Sequence, residues 1–208
     1  MSRVIRVVVG EIGTNCYLLH SQEEIAVIDP GFDGEKILSQ VANLEGKITH
    51  IINTHGHIDH IGANQAIKDA TGASIYIHKN DADMLRHPAK NLSLLMGNIV
   101  QSPKANMLLD EGDIIKVGQV SLKVIHTPGH TQGGICLISD KFAFTGDTLF
   151  FDSIGRTDFP GADEEQMYAS LKKLKNILTD DMIIYPGHGE WGGFSEIKRI
   201  NPFLKFSN

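Results

Sequence analysis

The stretch NTHGHIDHIG, residues 53–62, places His55, His57, Asp59 and His60 within six positions. It follows directly on KITHII at 47–52, an isoleucine-rich run of strand character. A strand therefore delivers four electron-pair donors into one turn. On a loop leaving a strand, His55 and His57 can converge on one point while Asp59 and His60 turn toward a neighbouring one. Neutral imidazole and carboxylate suit zinc, iron or manganese. Solvated polar decoration seldom collects so many strong donors, so the turn reads as metal-binding.

Further donors lie at other predicted strand ends. HTPGHT at 126–131 supplies His126 and His130, FTGDTLF at 144–150 supplies Asp147, and IYPGHGE at 184–190 supplies His188. Each follows a β-like run and sits beside glycine, where the backbone can turn sharply and bring a side chain into a shared cleft. His20, His50, His78 and His87 lie in strands or helices without donor neighbours, and surface or packing roles are expected of them. His126 opens its turn and is expected to hold it by hydrogen bonds.

Outward from these ends the chain falls into two batches. VIRVVV (4–9), NCYLLH (15–20) and EIAVID (24–29) are strands broken by Gly, Pro or Asn, and GEKILSQVANLEG (34–46) has helical spacing closed by Gly46. IGANQAIKDATG predicts a helix and SIYIH a strand. Residues 80–100 predict an irregular, lid-like helical segment broken at Pro88. The second batch holds DIIKV, VSLKVIHT, GGICLIS and KFAFTGD as strands, a long helix over 163–179, the strand MIIYPG and a last helical piece at 194–203. Two sheets facing each other, with helices on both outer faces, satisfy this layout in one α/β domain spanning 1–208.

Bulk properties narrow the function. The 208 residues are 41% hydrophobic and 21% charged, with a net charge of −6, and no run is apolar for long enough to cross a bilayer. The opening MSRVIRVVVGEIGTN reaches Glu11 too early for a signal peptide, so a cytoplasmic protein is expected. An acidic surface disfavours a phosphate backbone as partner, and neither nucleic acid nor membrane is expected. The basic cluster LKKLK at 171–175 reads as a solvated helix face. Cys16 and Cys136 lie in apolar runs without CxxC spacing and read as buried thiols.

Taken together, His55-x-His57-x-Asp59-His60 with His130, Asp147 and His188 resembles the metallo-β-lactamase-fold hydrolases. The likeness runs along nearly the whole chain, from NCYLL…AVIDPG to YPGHGE…NPF. GDTLFFDSIGRTDFPGADEEQMYASL (146–171) is similar to the glyoxalase II branch, in its small bacterial form without an added C-terminal helical domain. The resemblance implies a four-layer αβ/βα sandwich of two mixed sheets flanked by helices. It also implies two divalent metal ions, zinc above all, with iron or manganese as alternatives. His55, His57 and His130 would hold the first and Asp59, His60 and His188 the second, with Asp147 bridging. Asp29 in VIDPG matches the family's strand-end aspartate, suited to supporting a ligand or capping a turn.

The implied reaction is hydrolysis of a thioester, S-D-lactoylglutathione or a related hydroxyacyl thioester, with Asp59 orienting the attacking hydroxide. Arg156 in SIGRTDF is the candidate for the substrate's carboxylates; its alternative is an ion pair with Asp158 or Asp163. Trp191 and Phe194 stand near where larger members carry a substrate tyrosine. The resemblance leaves a second reading open, a persulfide dioxygenase using one iron through His55, His130 and Asp147. The implied partner is a small molecule, and a monomer or small homo-oligomer is expected.

Overall fold

Strand β2 (Thr14–Ser21) buries both faces: Cys16 and Leu18 point one way, Tyr17 and Leu19 the other. Apolar residues on both faces of a strand require a layer on each side, and the same alternation recurs in both halves of the chain. The computed structural model describes residues 2–205. It shows two six-stranded mixed sheets packed face to face, with helices on both outer surfaces.

The first sheet runs β1 (Ser2–Val9), β2, β3 (Glu24–Ile28), β4 (Lys47–Ile52), β5 (Ser74–His78) and β6 (Met107–Leu109). Its first three strands pair antiparallel and the rest parallel. Crossover helices α1 (Gly34–Val41) and α3 (Asn64–Thr71) follow β3 and β4, with the short α2 (Ile58–Ile61) between β4 and α3. Ile37 of α1 and Ile67 of α3 pack on Leu18, Val27 and Ile51 of the sheet's outer face.

The second sheet holds β7 (Ile114–Val117), β8 (Val120–His126), β9 (Ile135–Ile138), β10 (Phe142–Gly146), β11 (Ile183–Pro186) and β12 (Gly192–Gly193) in consecutive order. Only β10 and β11 pair parallel, across the crossover helix α4 (Glu164–Ile177). Met167, Leu171 and Leu174 of α4 and Ile197 of α5 (Phe194–Ile200) cover Cys136, Ala143 and Ile184. Between the sheets lie Tyr17, Leu19, Ile28 and Ile52 from one side and Leu122, Val124, Leu137 and Phe144 from the other. The expected αβ/βα sandwich is formed.

The irregular helical segment expected over 80–100 is a 3₁₀ helix at Lys79–Leu85 that ends ahead of Pro88, and beyond it turns replace helix. Buried Asn91 organises those turns, donating from Nδ2 to Met84 O and Val100 O while its side-chain oxygen accepts from Ser93 N. A side chain that bonds backbone this way competes with helix. The short strands β6 and β12 escaped the sequence reading, β12 because Gly192-Gly193 carries no apolar pattern. Cys16 and Cys136 are buried free thiols, as expected. No helix among the described residues is long and apolar enough to cross a membrane.

Candidate metal centre

Strand ends from both sheets meet along one edge of the sandwich. β4 leads into residues 53–57 and α2, bringing His55, His57, Asp59 and His60; β8 leads to His130. β10 and β11 are parallel neighbours, so Asp147 and His188 leave the second sheet side by side, tied by a Gly187 N–H to Gly146 O bond of 2.8 Å. All seven side chains singled out as donors converge here.

His55, His57 and His130 form one group with ligand atoms within 4.8 Å of one another; Asp59, His60 and His188 form another, and His55, His60 and Asp147 a third. His57 Nδ1 faces His130 Nε2 at 2.9 Å, and His60 Nε2 faces His188 Nε2 at 3.3 Å. Asp59 Oδ2 lies 3.2 Å from His60 Nε2 and 3.1 Å from His188 Nε2. Asp147 stands between the groups, Oδ1 being 3.4 Å from His60 Nε2 and Oδ2 3.4 Å from His130 Nε2. Gly187 is needed at this spot, since a Cβ there would come within 2.2 Å of Asp147 Oδ1.

Two buried atoms test whether a cation fits. His55 Nε2 and Asp147 Oδ1 have no hydrogen-bond partner, and a buried lone pair left unmet is costly. A cation between the groups would satisfy both, and would draw the facing imidazole nitrogens to common points. The donor set fits divalent metal.

The surrounding bonds aim these donors. His130 Nδ1 donates to the Arg156 carbonyl at 2.7 Å, leaving the Nε2 lone pair toward the centre. His60 Nδ1 lies 3.0 Å from Asp29 Oδ2, near enough for charge attraction though off the hydrogen-bond line. Asp29 is itself fixed by Thr54, whose N–H and Oγ1 both donate at 2.7 Å. Thr14 Oγ1 donates to Asp59 Oδ2 at 3.1 Å, and the Asn15 side chain donates to Pro186 O and Gly189 O, flanking His188. Buried Asp81 accepts from Gly56 N, Thr131 Oγ1 and Gly133 N, fastening the His55–His57 turn to the loop that carries His130. Burial raises the pKa of Asp81 against these bonds.

Electrostatics divide the histidines. Burial, then the neighbouring His60, His57 and His130, hold His55 well below the usual histidine range. Burial, then His130, pushes His57 down to about 3. These rings present lone pairs, as ligation requires. Burial also works against a charged His60, but Asp59, Asp147 and Asp29 outweigh it and raise that group. Burial likewise opposes ionised Asp59, which the His60 charge and the bond from His188 nonetheless hold well below the carboxylate range.

Other sequence candidates fall outside the cluster. Arg156 pairs with Asp158 through two bonds of 2.8 and 2.7 Å and lies 4.4 Å over the Phe159 ring; the alternative ion pair is the one formed. His126 bonds Gln132 O at 2.9 Å and stacks on His78, holding its turn as expected. His20 bonds Gln22 O, and His87 bonds Asp83 O. In LKKLK, Leu171 and Leu174 are buried and Lys173 pairs with Glu111, so the cations are surface groups. Thr14, Asn15, Asp81 and the Arg156 carbonyl went unread in the sequence, each being a lone polar group without diagnostic spacing.

Residues 9–188 match the family described as Metallo-beta-lactamase superfamily. The chain is 36% identical over 196 residues to hydroxyacylglutathione hydrolase GloC of Haemophilus influenzae, covering 91% of this chain and 92% of that one. Among solved structures, the BLEG-1 B3 metallo-beta-lactamase superposes with a TM-score of 0.91 at 32% identity, over 97% of this chain and 99% of that one. TTHA1623 in a di-iron-bound form gives 0.86 at 32% identity, over 96% of this chain and all (100%) of the other.

Proposed function

The chain belongs to the metallo-beta-lactamase superfamily, and on that premise we propose that it is a dinuclear metal-dependent hydrolase of thioesters. His55, His57 and His130 would hold one divalent ion and Asp59, His60 and His188 the other, with Asp147 shared. The observation that carries this reading is the unmet pair His55 Nε2 and Asp147 Oδ1 inside a seven-donor pocket. The di-iron form of TTHA1623 supports two ions in such a site, and the likeness to GloC supports a hydroxyacyl thioester such as S-D-lactoylglutathione as first substrate to assay. Zinc suits these ligands, as do iron and manganese.

When bound, the ions supply a water of lowered pKa and Lewis acidity for the carbonyl oxygen. The chain's own residues do the rest. Asp59 Oδ2, anchored by the Thr14 hydroxyl, is placed to orient the attacking water by accepting its proton in a hydrogen bond. His130 is kept in its working tautomer by the Arg156 carbonyl, and the Asp29 carboxylate sets a negative charge behind Nδ1 of His60. Water gives up one proton to solvent, its oxygen bonds the acyl carbon, and the carbon–sulfur bond breaks with its electron pair leaving on sulfur. The products are the carboxylic acid, which ionises, and a thiolate. A thiol with pKa about 8.5 departs as thiolate without protonation. An amide nitrogen needs a proton, and apart from the donors themselves the cleft beside the site is lined mainly by apolar side chains.

The test is release of free thiol from S-D-lactoylglutathione and simpler hydroxyacyl thioesters by protein of known metal content. Turnover should require metal and fall by about 10²-fold or more in His55→Ala. Rates equal to that variant on every thioester would remove the reading. About two equivalents of metal per chain are expected. One equivalent, all iron, with oxygen uptake on glutathione persulfide would put the dioxygenase in its place.

A further inference from the structure

Resting on the thioester reading, we propose that the cleft selects substrate by apolar contact. It takes thioesters of an uncharged, apolar thiol in preference to those of a dicarboxylate peptide thiol such as glutathione. A cavity of about 410 Å³ opens on His57, Asp59, His130, Asp147 and His188. Its other walls include Ile12, Leu92, Met96, Phe150, Ile154 and Phe159, with one cation, Arg156.

That cation is already engaged. Two of its five N–H donors, on Nε and Nη2, meet the carboxylate of Asp158, and its plane lies over Phe159. A substrate carboxylate reaching Arg156 would meet a charge already offset by Asp158, and a second carboxylate would find no other Lys or Arg among the residues lining this cleft. A carboxylate loses its water on entering such a wall, and without a charge-assisted bond nothing offsets that loss. A separate cavity of about 500 Å³ is lined in part by Lys90, but that ammonium pairs with Asp83 at 3.0 Å.

The apolar walls, by contrast, are ready to be covered. Ile12 from the β1–β2 turn and Met96 from the segment after the 3₁₀ helix are 52% and 47% exposed at the cleft. Leu94, Leu95 and Ile99 continue the exposed apolar character of the same segment. Large apolar side chains brought into the cleft from separate segments favour a ligand that removes them from water.

The test holds the acyl group constant. Compare kcat/KM of the two-metal protein for S-D-lactoylglutathione and for the D-lactoyl thioester of benzyl mercaptan. In parallel, measure by calorimetry the binding of the matching thioethers, in which CH₂ replaces the carbonyl and nothing is hydrolysed. The benzyl compounds should be favoured about tenfold in both measurements. Met96→Arg should move the ratio toward glutathione by about the same factor, through KM, with metal content unchanged. A wild-type preference for the glutathione compounds, or a ratio indifferent to Met96→Arg, overturns the inference while the hydrolase reading stands. Hydrolysis of neither thioester overturns that reading, and thioether binding then decides the cleft's preference alone.

Discussion

Asp29 holds a left-handed backbone, φ 52°, at the end of β3, where an aspartate is tolerated better than most side chains. The twist turns its carboxylate inward, between Thr54 and the far nitrogen of His60. Asp29→Asn keeps the shape but removes the charge that steadies that ring. Metal affinity at the Asp59–His60–His188 group should fall by about 10–100-fold. Competition against a chromophoric chelator measures it, and an unchanged affinity would deny Asp29 its supporting role. The seven donors themselves were legible because metal chemistry demands several strong ligands, and these stood together or beside glycines at strand ends. Thr14, Asp81 and the Arg156 carbonyl were not, because a hydrogen bond needs only one polar atom in the right place. Where that atom points is fixed by chain contacts distant in sequence, 50 residues in the bond from Thr131 to Asp81.

The loop between β8 and β9 shows how an element aims a ligand. Gly129 precedes His130 with φ 146°, and a Cβ there would lie 2.5 Å from the Cα of Met167 in α4. Asp163 N donates to Gly129 O at 2.8 Å and Ser170 Oγ to Pro128 O at 2.7 Å, so the helix seats the loop. Gly129→Ala must push loop and helix apart. It should destabilise the protein by roughly 2–4 kcal/mol, from overpacking and backbone strain together, and lower the metal bound per chain. Urea unfolding with metal analysis checks both, and stability within about 0.5 kcal/mol of wild type would show the contact to be slack. Helix α4 was expected from the sequence over 163–179, and the structure adds its cap, Asp163, which accepts from Gln166 N at 2.9 Å. Of residues 80–100 only the first part is helical, as a 3₁₀ segment, and the side-chain bonds of Asn91 that replace helix beyond it do not show as a pattern.

At the scale of the whole molecule, the sandwich was legible because its strands are apolar on both faces, which leaves two covered sheets as the economical solution. The cleft was not, since its walls come from residues 12, 92–96 and 150–159, brought together only by the packed fold. The same packing sets a cost along the edge where the sheets meet. It crowds uncharged His55 and His57 against a His60 that three carboxylates favour as a cation, and leaves the buried His55 Nε2 and Asp147 Oδ1 among the atoms unmet. Metal ions that bind only this assembled edge relieve that cost, and so stabilise the native state by mass action. With free metal near 1,000-fold above its dissociation constant, the gain is about 4 kcal/mol. For a chain of this length, that corresponds to a midpoint higher by roughly 8–16 °C. Calorimetric scans before and after chelation should show that drop, and adding back the metal should restore the midpoint. If the midpoint ignores both steps while metal analysis confirms the ions have gone, the seven donors do not hold metal in a way that matters to the fold.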